Sequence, residues 1–192
     1  MTTYLLHGGK TSQPHPANDF FFSQFTKLVE KETVIILLCY FSREKSTWDA
    51  LIERDTNSIK MNTNKEIKML VAEDPKDLFS KLEKSDVLYV AGGDAEPIEN
   101  LYAKLGDLKH KLDGKIYAGS SMGAFLASSS YVLSLSDQKE NEVHEGVGLL
   151  PIQTLCHWNI EDKKEMKLNL LRDNSQMPII VLNEFETVTL YR

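Results

Sequence analysis

The sequence predicts an α/β fold, a three-layer sandwich whose central sheet is mostly parallel. Three observations predict it. Short β-rich apolar runs alternate with amphipathic stretches along nearly the whole chain. The run at residues 34–41 is almost continuously apolar, as a strand covered on both faces must be. Glycine-rich or polar loops follow the strands at 7–9, 41–43, 92–94 and 119–123, on the edge where open parallel sheets bind ligands.

Each element has a local reason. Residues 4–7 form a short strand that ends at Gly8-Gly9. Over 19–30, Phe21, Phe22, Phe25, Leu28 and Val29 share one helical face. The strand 34–41 is followed by a helix over 46–53, capped by Ser46 or Thr47, with Trp48, Leu51 and Ile52 facing inward. A strand at 67–72 leads to Asp74-Pro75, a cap followed by proline at the first helical position, and Leu78, Phe79 and Leu82 form the buried side of that helix. A strand at 87–91 ends in Gly92-Gly93-Asp94. Ile98, Leu101, Tyr102 and Leu105 then repeat at helical spacing over 96–105. The strand 115–118 precedes a helix beginning at Ala124. Residues 131–135 read as a strand, 136–145 as a charged loop, and 146–151 as a turn into a strand at 152–156. A helix over 161–171 and strands at 178–182 and 187–191 close the chain.

Length and composition fit one domain, residues 1–192, with a sizeable core: 42% of residues are hydrophobic and 26% charged. The formal net charge of −6 argues against a nucleic-acid-binding surface. Cys39 and Cys156 do not make a disulfide framework, and Cys39 lies inside an apolar run, so a reducing compartment is expected. The N-terminus lacks the pattern of a signal peptide, and no segment has the length of a membrane span. A cytoplasmic protein is the expectation. Its partners would be a short peptide substrate and at most a second copy in a homodimer, with no nucleic acid and no membrane. No cofactor and no metal site are indicated; His144 with Glu142 and Glu145 reads as a solvated loop.

The most informative stretch is KIYAGSSMGAFLASSS at 115–130. A serine centred in G-x-S-x-G between a strand and a helix is a nucleophile elbow. The turn is so tight that only small residues fit two before and two after the serine, which leaves its hydroxyl exposed above the sheet. Ser121 has glycine at both offsets; Ser120 does not. A serine hydroxyl needs a base, and the base needs an orienting group. Five histidines are available. His110 sits in a polar stretch away from the ligand edge, and His15 lies between prolines without an evident partner. His7 ends the first strand beside glycines. His157 follows the strand 152–156 and so shares the edge with the elbow, which makes it the expected base, with His144 next. For the acid, Asp137, Glu140, Glu142 and Glu145 are open, and Asp137 comes soonest after its strand. An oxyanion needs two amides. Met122 supplies one and Gly92 or Gly93 the other.

The segments VLYVAGGDAEPIENL and YAGSSMGAFLAS, the acidic loop, GVGLLP and His157 together resemble peptidase family S51, the dipeptidase E and cyanophycinase-like serine peptidases. The resemblance implies a class I glutamine amidotransferase-like (flavodoxin-like) fold and a Ser-His-Asp triad of Ser121, His157 and Asp137. Gly93 and Met122 would form the oxyanion hole, and Gly92, Asp94, Arg43 and Arg172 would contact substrate. Three positions depart from the family pattern. Met122 stands where alanine is usual, Ala95 where threonine is usual, and Arg172 is the only arginine in the segment that follows the histidine. Two other readings remain open at this point. One is an esterase-like hydrolase using His7-Gly8-Gly9 as an oxyanion loop. The other is a non-catalytic domain binding a small anion at the glycine-rich edge. Amidotransferase chemistry is disfavoured, because its nucleophile is cysteine and Ser121 stands in that place.

Overall fold

A computed structural model describes residues 1–134 and 141–192. In chain order the strands are β1 (Thr3–His7), β2 (Thr33–Cys39), β3 (Glu66–Val71), β4 (Val87–Val90), β5 (Ile116–Ser120), β6 (Ser130–Val132), β7 (Val143–Glu145), β8 (Gln153–Leu155), β9 (Ile179–Val181) and β10 (Thr187–Tyr191). The helices are α1 (Pro16–Lys27), α2 (Trp48–Met61), α3 (Pro75–Leu82), α4 (Ala95–Glu99), α5 (Tyr102–Leu105), α6 (Leu108–Lys111), α7 (Met122–Ala127) and α8 (Lys164–Asn174). The fold class is α/β, as the sequence predicts.

The strands form two sheets where the sequence suggests one. Six strands run in the order β10-β1-β5-β4-β2-β3, all neighbours parallel except β1 with β10. Four more run β7-β6-β8-β9. β7 lies within the stretch read as loop, antiparallel to β6 with Tyr131 opposite His144.

Burial explains why the strand pattern is legible. β2, β4 and β5 carry Val34, Ile36, Leu37, Leu38, Val87, Leu88, Tyr89, Tyr117 and Ala118, all inaccessible to solvent. On α1, Phe21 and Phe22 pack edge-on against the Tyr89 ring and Phe25 packs tilted against it. Burying each such ring contributes about 2–3 kcal/mol. The expected cap of α3 is present: Asp74 accepts the Asp77 N–H at 2.9 Å, with Pro75 at the first helical position. α1 starts earlier than its apolar pattern suggests, because Pro16 opens it and His15 caps it by accepting the Ala17 N–H. The helix expected over 96–105 breaks into α4 and α5. At the break, tighter turns replace helical bonds: Leu101 N–H reaches the Ile98 carbonyl at 2.9 Å and Lys104 N–H reaches that of Leu101 at 2.8 Å. Ile98 and Leu105 stay buried through the break.

Two polar groups, one buried and one half-buried, tie the small sheet to its neighbours. Lys167 on α8 is 1% exposed; its Nζ donates to Glu161 and to the Leu133 carbonyl, each at 2.6 Å. Glu99, ending α4, accepts from the Tyr131 hydroxyl at 2.6 Å and pairs with His144 Nδ1 at 2.8 Å. Among the described residues no helix is long and apolar enough to cross a membrane.

Candidate active site

Strand register brings the site together. Gly119 on β5 lies opposite Val90 of β4 and Leu6 of β1. The three neighbouring chains therefore leave the sheet at one level, as Gly92-Gly93, Ser120-Ser121 and His7-Gly8-Gly9. The Ser121 N–H donates to the His7 carbonyl at 2.8 Å, which pins the elbow to β1.

Ser121 has φ 50° and ψ −106°, a positive-φ conformation that L residues rarely adopt. Both flanking glycines are forced by contact. A Cβ on Gly119 would stand 2.4 Å from the Gly123 carbonyl oxygen, and one on Gly123 would stand 2.1 Å from that of Val90. The Tyr117 hydroxyl donates to the Gly123 carbonyl at 2.6 Å and holds the turn closed from below.

His157 also has positive φ, 56°, two residues after the end of β8. Its N–H donates to the Gly8 carbonyl at 3.2 Å. The ring then reaches across to the elbow: Nε2 lies 2.9 Å from Ser121 Oγ. Its other nitrogen, Nδ1, lies 3.0 Å from Glu184 Oε1. Gly9, at φ 119°, leaves the room the ring occupies, since a Cβ there would stand 2.2 Å from a ring carbon. Glu184 sits in the turn between β9 and β10, with its N–H held by the Asn159 side chain at 2.8 Å.

The sequence expectation for the acid is Asp137, which lies outside the described residues. The carboxylate at the His157 ring is Glu184, which sequence reasoning missed. The candidates Asp137, Glu140, Glu142 and Glu145 all lie between serine and histidine, whereas Glu184 comes from the closing hairpin. The available signal was a pair of carboxylates, Glu184 and Glu186, in the turn joining the last two strands at the ligand edge.

Gly93 requires its missing side chain, because a Cβ would stand 2.1 Å from the Ser42 carbonyl oxygen. The peptide unit between Gly92 and Gly93 is held at its carbonyl end, where Arg43 Nε donates to Gly92 O at 2.6 Å. In a trans peptide the N–H points opposite to the carbonyl, so the Gly93 amide faces away from Arg43. Among the described residues neither the Gly93 nor the Met122 amide has a hydrogen-bond acceptor. Gly92, Gly93, Asp94, Arg43, Met122 and Ser121 all line one cleft of about 310 Å³, and His157 lines it too. Arg172 does not. It lies exposed on α8, bonded to Asn169 at 3.2 Å and 3.6 Å from Glu165.

His7 is buried beneath this edge and does not reach the cleft. Its Nδ1 accepts the Gly9 N–H at 3.0 Å, and its ring packs on Phe21. The Gly8 N–H is taken by the Glu186 carbonyl. With both glycine amides engaged, His7-Gly8-Gly9 cannot serve as an oxyanion loop, which removes the observation behind an esterase reading.

Burial pushes the His7 imidazole down to about 4; Asn18 pulls it up and the His157 and His15 charges push it further down. The folded-state value lies below the unfolded one of about 6.5, so the unfolded chain binds the extra proton. The stabilisation is complete above about 6.5 and is lost as pH falls toward 4, by about 2 kcal/mol at pH 5. Urea unfolding at pH 7 and pH 5 is expected to show a larger loss for the natural chain than for His7→Asn. Equal losses would show that His7 carries none of this dependence.

The model of peptidase family S51 matches residues 5–191 of the chain. The chain belongs to peptidase family S51. It is therefore a peptidase, a hydrolase acting on peptide bonds. Solved structures agree with this S51 fold. A peptidase from an acI-B1 Actinobacterium superposes with TM-score 0.68 at 16% identity, covering 98% of this chain and 83% of the other. A candidate peptidase E from Listeria monocytogenes EGD-e superposes with TM-score 0.63 at 17% identity, covering 100% and 99%. No curated protein sequence matches the S51 chain.

Proposed function

We propose that this S51 peptidase is a serine peptidase of the dipeptidase E type, cleaving short peptides with Ser121 as nucleophile, His157 as base and Glu184 as orienting acid. The observation that carries this reading is the unbroken line Ser121 Oγ–His157–Glu184, with separations of 2.9 and 3.0 Å.

The chemistry follows from the roles. Glu184 accepts a hydrogen bond from Nδ1–H and so keeps the proton on that nitrogen, leaving Nε2 to present a lone pair to the serine hydroxyl. As Oγ attacks the substrate carbonyl carbon, its proton passes to Nε2, and Glu184 stabilises the imidazolium. The carbonyl oxygen becomes an oxyanion and takes the Gly93 and Met122 amides. The imidazolium then protonates the leaving amine, giving an acyl-Ser121. Water attacks the acyl carbon, delivers its proton to Nε2, and Ser121 Oγ leaves and recovers that proton. Each glycine of the elbow and of the Gly92-Gly93 pair keeps a backbone close enough for this without a Cβ in the way.

A cleft of about 310 Å³ suits a short peptide rather than an extended chain. The test is a dipeptide and tripeptide library alongside p-nitrophenyl esters, with a fluorophosphonate label read by intact mass. The expected result is one label on Ser121 and peptide turnover exceeding ester turnover in kcat/KM. Labelling elsewhere, or ester activity alone, would overturn the assignment.

A further inference from the structure

Two amides must hold one oxyanion, and they belong to different elements. The Met122 amide opens α7. The Gly93 amide stands two residues before α4, a helix of five residues. A helix that short has little stability of its own, so its place is set by what it packs against. The glycine pair before it adds backbone freedom that must be removed from outside. At the near end backbone acceptors do this. The Asp94 N–H donates to the Ser42 carbonyl at 2.8 Å, and Arg43 holds the Gly92 carbonyl.

The far end is held by a side-chain bond. Glu99 is the last residue of α4, and its Oε1 accepts the Tyr131 hydroxyl at 2.6 Å. A short hydroxyl-to-carboxylate bond is among the stronger kinds. Tyr131 is inaccessible to solvent on β6. Its ring lies flat on that of Phe125, with centroids 4.7 Å apart and planes 8° from parallel. Phe125 belongs to α7, and its N–H donates to the Ser121 carbonyl at 3.0 Å. The ring of Tyr131 thus packs on the elbow helix, while its hydroxyl holds the helix that follows the glycine pair. His144 of β7 also stacks on this ring, at 5.3 Å, and its Nδ1 lies 2.8 Å from the same Glu99 oxygen.

We propose that Tyr131 is a positioning residue for the oxyanion hole. Through Phe125 and Glu99 it fixes α7 and α4 against each other, and with them the spacing of the Met122 and Gly93 amides. This rests on the serine peptidase reading above. Tyr131 is not among the residues that line the cleft, so it acts through other groups. The oxyanion exists only once the carbonyl is attacked. Misplaced amides therefore lower kcat and leave substrate binding nearly alone.

Tyr131→Phe removes the hydroxyl and keeps the ring on Phe125. The expected fall in kcat is about tenfold to a hundredfold, with KM within about threefold. The rate at which a fluorophosphonate labels Ser121 should fall in step, because its phosphonyl oxygen takes the same two amides. Glu99→Ala cuts the link from the other end, and the double variant should lose no more than the worse single one. Tyr102→Phe is the control. The Tyr102 hydroxyl lies 3.1 Å from that of Tyr131, yet the bond from Tyr131 to Glu99 does not need it. This variant should keep kcat within about threefold. All rates are compared well below each melting temperature, so a general loss of stability does not imitate the effect. A loss carried by KM, or equal losses in Tyr131→Phe and Tyr102→Phe, would overturn the proposal.

Hydrogen exchange read by mass spectrometry separates this proposal from the hydrolytic one, because it needs no turnover. Faster exchange over residues 92–99 in Tyr131→Phe than in Tyr102→Phe, with β2 and β3 unchanged, supports the brace even if no peptide is cleaved. Exchange there equal to that of the natural chain would overturn it, whatever the kinetics.

Discussion

Ser121→Ala is expected to lower kcat for peptide hydrolysis by about 10³- to 10⁶-fold and to abolish fluorophosphonate labelling, while leaving the fold intact. The hydroxyl is the only group lost, and its hydrogen bond to His157 is at a half-exposed edge of the fold rather than in its core. A second substitution tests the backbone argument. At φ 50° and ψ −106° the residue is held in a region that costs about 1–3 kcal/mol for a side chain and far less for glycine. Ser121→Gly should therefore be as inactive as Ser121→Ala. It should also be more stable than Ser121→Ala by about 1 kcal/mol, or about 2–4 °C in Tm for a chain of this size. Calorimetric scans of both variants with a turnover assay read the two effects together. Residual turnover near the natural rate would remove Ser121 from the chemistry. A glycine variant less stable than the alanine one would show that the elbow is not strained.

The parts of this molecule that were legible in its sequence are those where a local constraint has one solution. The elbow is such a case: Gly119 and Gly123 each face a backbone carbonyl at a distance no Cβ tolerates, so the motif reports the turn directly. The buried strands are another, because β2 and β4 are covered on both sides and read as apolar runs. The placement of His157 followed from the same logic, since it terminates a strand at the ligand edge. What was not legible depends on partners distant in the chain. Glu184 reaches His157 only because β10 returns antiparallel beside β1 and carries the preceding turn across the site. Arg54 enters the cleft only because Asp55 and Tyr40 hold it there. The division into two sheets escaped for a related reason. β6, β8 and β9 are three residues each, and a strand so short carries no signal of which sheet it joins. His7 misled in the opposite direction. Its position after β1 and before two glycines suggested the ligand edge, yet its side chain points into the core against Phe21.

Glu184→Gln separates the acid seen at the His157 ring from the one expected between serine and histidine. The substitution keeps size and removes charge. Without the carboxylate, nothing stabilises the imidazolium that forms when Nε2 takes the serine proton. A glutamine turned to donate toward Nδ1 would also fix the proton on Nε2, the tautomer that cannot act as a base. The expected fall in kcat is about 10²- to 10⁴-fold, with KM changed little, because Glu184 acts through His157 and not on the substrate. Asp137→Asn, measured alongside, is expected to retain activity within about threefold, as for a residue outside the proton path. Glu184→Asp gives the intermediate case: the charge survives, but the shorter side chain must stretch across a gap that glutamate spans at 3.0 Å. Partial activity there, rising above that of Glu184→Gln, would assign the role to charge at the ring and not merely to packing of the turn. The reverse order, with Asp137→Asn inactive and Glu184→Gln near the natural rate, would return the orienting acid to the segment between Ser121 and His157 and leave Glu184 as a tether between the closing hairpin and the His157 ring.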